Sequence, residues 1–397
     1  MKKILHFSLV LLFGVLAIPL AAGANGGMVH WPPQIYVSQT DQNAIVAWNG
    51  TEEILVLSTN WSKPAGSGEV TLLKTVPLPS NPSEIKEGDT AIFEKMVDVL
   101  NQKISVTWGT ATTGTGSDSK AENAPSVEVV FQKVIGAHDV TVVKVNNPEE
   151  FSNWIDGFAA GKNLEKKQIS EEFKNGLKSY LKRNINYFVF DVATLNDDDN
   201  TIKPLVYRFP TRYFYFPMLV SGVSEIADSE TRINLFLVYP DTMKLPPSVW
   251  QGNVDYSVSD YGLEIPLTNS ELKGVFELLA SLFYGDVSVR RFQMFGKLSK
   301  IDKDLMLFPQ LLASNLKVGM RSEDVKILQQ LLINEGFWQS EASITSYFGP
   351  ATKAAVMKFQ DQYKENILYP LGLTGPTGFF GPYTRKYLNE NIFVGAK

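Results

Sequence analysis

The chain contains no cysteine in its 397 residues. Disulfides, thiolate metal sites, cysteine nucleophiles and lipid attachment through an N-terminal cysteine are therefore excluded. Histidine is almost as scarce: His6, His30 and His138 are the full set. Their separation makes a three-histidine zinc centre an unexpected reading. An excess of positive charge is lacking too. Lys+Arg number 37 against 42 Asp+Glu, a net charge of −5, which argues against a nucleic-acid backbone as the main partner. Serine motifs are missing: there is no G-x-S-x-G. The S-x-x-K matches at Ser179–Lys182, Ser117–Lys120 and Ser314–Lys317 lack the K-T-G and S-x-N companions that acylating enzymes carry. No catalytic residue, cofactor or metal ligand is assigned from the sequence. After the first 24 residues no uncharged run approaches a membrane span.

What is present is an ordinary folded composition, 44% hydrophobic and 20% charged, long enough for two or three domains. Lys2 and Lys3 precede the apolar run Ile4–Leu20, and Ala22-Gly23-Ala24 supplies a small-residue exit, the layout of a cleaved secretory signal over residues 1–24. Retention of that run as an N-terminal anchor is the alternative. Cleavage leaves an extracytoplasmic chain (secreted, periplasmic or wall-associated) with no membrane span.

Residues 25–296 read as an α+β domain with a mixed or antiparallel sheet. Strand patterns occupy Ala44–Trp48, Ile54–Thr59, Val127–Ile135, Val140–Val145, Tyr187–Leu195, Leu205–Phe209, Tyr213–Val220 and Ile233–Tyr239. Asn234–Val238 has almost no polar alternation and reads as a central strand covered on both faces. Helical patterns fall on Thr90–Lys103, Glu149–Ala160, Ser170–Arg183 and Ser270–Phe283, without a strict βαβ rhythm. Gly109–Ser126 is a polar insert. Asn196–Asn200 is an acidic hairpin tip without the glycine and glutamate of a calcium loop. Tyr207, Arg208, Arg212, Tyr213 and Tyr215 form an aromatic-basic strip that suits either a ligand face or half-buried sheet aromatics. His138 and His30 stand alone, and His138 reads as a solvated strand-end residue.

A charged segment, residues 297–312, serves as the expected linker. Residues 297–397 carry 12 Lys+Arg against 9 Asp+Glu, a net of +3 behind an acidic body. Residues 313–397 read as a small all-α module of three helices. Ser322 is a helix N-cap with Glu323 and Asp324 in the first turn; Val325, Leu328, Leu331 and Leu332 form its buried stripe; Gly336 is its stop. Then Phe348-Gly349-Pro350-Ala351-Thr352-Lys353 recurs 32 residues later as Phe380-Gly381-Pro382-Tyr383-Thr384-Arg385. Each copy is a turn-to-helix device, with glycine for the turn and proline for the first helical position.

Leu316, Gly319, Asp324, Val325, Leu328 and Gln329, then Phe348 to Gln360, then Gly378, Gly381, Pro382, Thr384 and Leu388, together resemble the peptidoglycan-binding domain appended to bacterial wall hydrolases and transpeptidases. The segment between the second and third blocks is longer than usual. Thr377 takes the place of an acid, and Ile344-Thr345-Ser346 replaces an Asp-Gly pair. The resemblance implies a noncatalytic module that binds peptidoglycan, glycan or stem peptide. Phe337, Trp338, Tyr347, Thr352, Phe379, Thr384 and Arg385 are the candidate wall contacts, with Phe348, Phe359 and Phe380 assigned to the core. Across residues 25–240, Asn25-Gly26-Gly27-Met28, Ala44–Trp48, Glu53–Thr59, Val76–Pro79, Gly136–Val142, Phe188–Val192, Pro204–Phe209, Tyr213–Pro217 and Ile233–Leu237 resemble an exported family known as domain of unknown function 2330. That family has no assigned chemistry, so the resemblance implies fold and export alone.

The combined reading is an exported, noncatalytic envelope protein whose module holds an α+β body, with its own unidentified partner, at the cell wall. The alternatives are a wall hydrolase with a catalytic N-terminal domain and an envelope adhesion or interaction protein.

Overall fold

The computed structural model describes residues 27–32, 34–35, 37–104, 127–162, 169–196, 202–224, 230–243, 245, 256–301, 303–307, 312, 314–338 and 344–391. The signal-like segment, the polar insert and Asp197–Asn200 lie outside them.

Among the described residues, two large sheets and one two-stranded pairing build the body. The five-stranded sheet is antiparallel, in the order Gly27–Trp31 (β1), Val70–Leu78 (β4), Tyr187–Leu195 (β8), His138–Val145 (β7) and Val127–Ile135 (β6). The seven-stranded sheet runs Tyr256–Leu267 (β12), Val287–Lys297 (β13), Glu230–Pro240 (β11), Ser38–Trp48 (β2), Glu52–Ser62 (β3), Leu205–Pro210 (β9) and Glu84–Glu87 (β5). It is mixed: β11 lies parallel to β2 and antiparallel to β13.

Strand alternation fixes the layers, because successive side chains leave a strand on opposite faces. Along β2, Ala44, Val46 and Trp48 join the main core while Ile45 and Ala47 join a second core on the other side. Along β11, Leu235 and Leu237 face the first and Phe236 and Val238 the second. That double burial is why Asn234–Val238 lacks polar alternation.

Among the described residues, six helices flank the sheets: Ala91–Ile104 (α1), Pro148–Gly161 (α2), Glu171–Leu181 (α3), Leu219–Gly222 (α4), Asn269–Val275 (α5) and Glu277–Ser281 (α6). Ile92, Met96 and Leu100 of α1 pack with Leu272 and Leu279 in the second core. Under the five-stranded sheet, Phe151 of α2 meets Phe188 at 4.6 Å and Trp154 meets Phe190 at 5.1 Å between ring centroids. The layers therefore run helix, sheet, sheet, helix, an α+β body as expected.

Two elements differ from the sequence reading. The single helix expected over Ser270–Phe283 is broken at Phe276, which is extended at φ −161°, ψ 118°. Thr268 starts the first half with a capping box to Glu271, and the Asn269 amide donates to the carbonyls of Ala280 and Phe283, folding the second half back. The strand expected over Tyr213–Val220 shortens to Phe214–Phe216 (β10). Pro217 has no N–H for a ladder, and the chain turns into α4.

β10 pairs with Leu305–Leu307 (β14), inside the segment that reads as a linker. Next to β14, Asp304 is fully buried on its side chain. Its Oδ1 accepts from Tyr180 Oη at 2.8 Å and from the Leu219 amide at 2.9 Å. Its Oδ2 accepts from Arg183 Nη1 at 3.1 Å. Burial raises the Asp304 pKa, and Arg183 and these donors oppose the rise.

Beyond it, Glu323–Asn334 (α7), Pro350–Gln362 (α8), Lys364–Ile367 (α9) and Pro382–Asn391 (α10) form the all-α module. Ser322 Oγ accepts from the Val325 amide at 3.3 Å, and Gly336 has φ +76°. The module touches the body directly: Gln330 Nε2 donates to the Arg183 carbonyl at 2.8 Å, and Lys303 pairs with Glu335 at 3.4 Å.

Candidate functional site

The duplicated device is built on two buried glutamines. Gln329, on α7, donates from Nε2 to the Tyr347 carbonyl and to Thr352 Oγ1, both at 2.9 Å, and its Oε1 accepts from the Thr345 amide at 2.7 Å. Gln360, on α8, donates to the Phe379 carbonyl at 2.8 Å and to Thr384 Oγ1 at 2.9 Å. Its Oε1 accepts from the amides of Thr377 and Gly378, each at 2.9 Å. In both copies the threonine two residues before the aromatic turns its own hydroxyl back: Tyr347 N donates to Thr345 Oγ1 and Phe379 N to Thr377 Oγ1. Thr345 and Thr377 thus hold the two lead segments whose sequence departs from the family pattern. Nothing in the spacing of Gln329 and Gln360 had marked them as more than motif positions.

The glycines of the repeat act through space. A Cβ on Gly349 would stand 3.1 Å from the Tyr347 ring, and one on Gly381 would stand 2.6 Å from the Phe379 ring. At Gly349 the backbone is extended, φ −90°, as the N-cap of α8, so no left-handed turn demands glycine there. Each glycine leaves room for an aromatic ring laid across a helix start.

The seven candidate contacts divide accordingly. Thr352 and Thr384 are 1% and 3% exposed and bonded to the two glutamines. Phe337 stacks edge-on with Phe359 at 5.3 Å, and Trp338 is half-buried against the same core. Tyr347, Phe379 and Arg385 reach the surface at the two helix starts. Arg321 lies 4.6 Å from the Tyr347 ring centroid, and Arg385 Nη1 donates to Asn315 Oδ1 at 2.6 Å. Tyr383, four residues after Phe379 and in the first turn of α10, is similarly exposed and was not singled out from sequence. Phe348, Phe359 and Phe380 are core.

In the body, the structure chooses between the two readings of the aromatic-basic strip and overturns one histidine reading. Tyr207, Tyr213 and Tyr215 are buried, Arg208 is held by Glu52 at 2.7 Å and Arg212 is exposed, so the tyrosines are interior packing rather than a ligand face. His138 is not solvated. It is 4% exposed, with Nδ1 2.8 Å from Asp191 Oδ2 and Nε2 3.0 Å from the Lys203 carbonyl. Asp191 lies 53 residues away in sequence, on a neighbouring strand, which is why no local pattern revealed the pair. Among the described residues no group of three histidine, aspartate or glutamate side chains is placed to hold a metal ion, and no helix is long and apolar enough to cross a membrane.

Residues 321–388 match the family described as putative peptidoglycan binding domain. Residues 19–242 match the family described as uncharacterized protein conserved in bacteria (DUF2330), more than half of the chain. No curated protein matches. Among solved structures, baculovirus P35 is similar over 71% of this chain and 99% of its own, at 10% identity and a TM-score of 0.33. P35 in its caspase-8 complex is similar over 68% of this chain and 96% of its own, at 8% identity and a TM-score of 0.30.

Proposed function

The chain belongs to the DUF2330 family of bacterial proteins, and from that premise we propose that it is an exported, noncatalytic envelope protein held at the cell wall by its C-terminal helices. The layout proposed is a cleaved signal over 1–24, a body over 25–296, a connecting segment over 297–312 and a wall-binding module over 313–397. The peptidoglycan-binding match associates the chain with the cell wall.

The observation that carries the reading is the duplicated clamp within that match. It presents Tyr347 and Phe379 at equivalent helix starts, with Arg321 beside the Tyr347 ring. An aromatic face with a guanidinium beside it suits peptidoglycan, whose sugars stack on rings and whose stem peptides carry carboxylates. In this reading Thr352 and Thr384 shape the two loops from inside, while Phe337 packs edge-on against Phe359 and Trp338 against the same core.

Sedimentation of the whole chain with purified sacculi tests it. The chain is expected in the pellet, and Phe379→Ala with Arg385→Ala is expected to release most of it. A chain that stays in the supernatant would end the wall reading. Unchanged retention of the double variant would move the contact away from these residues.

A further inference from the structure

A second site lies on the outer end of the five-stranded sheet. Gln132 of β6, Thr141 of β7 and Phe190 of β8 are paired in one row across three strands, so their side chains share a face. Trp154 and Phe158 of α2 sit on Phe190, at 5.1 and 5.3 Å between ring centroids. The helix therefore covers β8, and beside it a groove of about 460 Å³ opens over β6 and β7. Small-molecule sites commonly occupy about 300–1,000 Å³. Val129, Gln132 and Thr141 line the groove from the sheet, and the second half of α2 forms the other wall.

That wall is kept bare. Residues four apart share a helix face, and Gly157 and Gly161 are two such positions beside the groove. Neither has a left-handed backbone, and a Cβ built on either would meet no atom within 4 Å. Neither turn geometry nor packing calls for glycine at these places. Inside a helix, as at Gly157, glycine is less favourable than alanine. What the two positions preserve is room.

Thr141 supplies an independent sign of a ligand. It is 2% exposed, and its Oγ1 has no hydrogen-bond partner among the described residues. An unpaired buried hydroxyl is costly, and a polar group entering the groove would relieve it. The charge of that group follows from the end of the helix. Trp154 and Phe158 stack at 5.1 Å and 18°, and Lys162 Nζ lies 5.5 Å from the Phe158 centroid, extending the stack. The ammonium is matched by Asp139 Oδ2 at 2.5 Å, so the groove has no surplus charge to offer. A charged ligand would find no counter-ion there. A wholly apolar one would leave Thr141 unpaired. A neutral ring with an apolar face and several hydroxyls meets both conditions, since the Thr141 hydroxyl and the Gln132 amide each donate and accept.

We propose that this groove binds a neutral sugar ring. Thr141 and Gln132 hydrogen-bond its hydroxyls, the Lys162–Asp139 pair does so at one end, and its C–H face rests against Trp154, Phe158 and Val129. The inference does not rest on wall attachment. A chain that fails to sediment with sacculi can still bind a soluble sugar, and the reverse.

The test is a titration of the whole purified chain with glucose, N-acetylglucosamine, maltose and cellobiose, with indole as the apolar comparison, read by saturation-transfer NMR and calorimetry. Saturable binding of at least one sugar, tighter than indole, is expected. Gly157→Leu fills the groove and should weaken that binding about tenfold or more, with Gly157→Ala intermediate. Thr141→Val keeps the shape of the side chain, removes the hydroxyl and should weaken it about threefold. All three variants should keep the circular dichroism of the parent and melt no lower, because none removes a contact and two replace a helical glycine. Absence of saturable binding to all four sugars, tighter binding of indole, or unchanged affinity in folded Gly157→Leu or Thr141→Val would overturn the proposal.

Discussion

The module and the body treat buried polar groups in opposite ways. Between Leu316 and Asn391, every buried side-chain polar atom among the described residues has a hydrogen-bond partner, and the two glutamines account for much of this. In the body, orphaned atoms occur on both sheets, including Glu53 Oε1, Thr75 Oγ1, Thr141 Oγ1, Asp191 Oδ1 and Thr231 Oγ1. A fully satisfied interior has no capacity left for a ligand, so whatever the module recognises must be met on its surface. An interior with unsatisfied donors and acceptors carries their desolvation cost instead. The two regions therefore call for different experiments: surface substitutions for one, charge and cavity substitutions for the other.

The largest expected break is at their junction. Asp304→Ala leaves Arg183 buried without its carboxylate and removes acceptors from Tyr180 and the Leu219 amide. A loss of about 3–5 kcal/mol is expected, read as a lower urea midpoint. The same geometry sets the limits for dissection: ending the body at residue 296 removes both Asp304 and β14, so a fragment extended through 312 should be the better folded of the two.

Lys74→Met sharpens the comparison from the other side, because it should stabilise. Burial lowers its folded pKa to about 8, below the unfolded value of 10.5. The penalty for a protonated Lys74 is therefore full below pH 8 and fades as pH rises toward 10.5. The variant should gain up to about 3 kcal/mol at neutral pH and converge on the parent in alkali. A stability difference that does not shrink between pH 8 and 10.5 would show that Lys74 is not the titrating group.

Gln360→Ala should cost about 2–3 kcal/mol, since it strands the Thr377 and Gly378 amides. Protection from hydrogen exchange should fall in α8 and α10 while the sheets keep theirs. The smallest effect is Phe379→Ala, about 1 kcal/mol in sacculus affinity with no change in unfolding.

The sequence made the module far more legible than the body. Its signals are local: the Ser322 cap, the Gly336 stop and the F-G-P-x-T repeat all act within a few residues of themselves. In the body, pairing is long-range. β13 was missed because Arg290, Arg291 and Gln293 interrupt its apolar pattern, although Arg290 is 2% exposed between β12 and β11. Of β4 only the end was legible, in Val76–Pro79, through the family resemblance, because Thr71, Lys74 and Thr75 interrupt the apolar pattern before it. The break at Phe276 was hidden because the apolar spacing of Leu272, Val275 and Leu279 runs across it without a gap. Candidate residues chosen for aromaticity scattered between core and surface, because a ring at a helix start serves either purpose until its neighbours are known.

Asp304 also determines how the molecule would respond to being pulled. A slack tether would let a wall-bound module drift while the body stayed put. Here tension applied at α7 passes through Gln330 to the Arg183 carbonyl, and through β14 into β10 and α3. The load enters the body at the Asp304–Arg183 ion pair, where β14 meets α3 and α4. Displacement of the C-terminal helices would therefore be felt by the body as strain, and the first element to yield under force would be the three-residue pairing of β10 with β14.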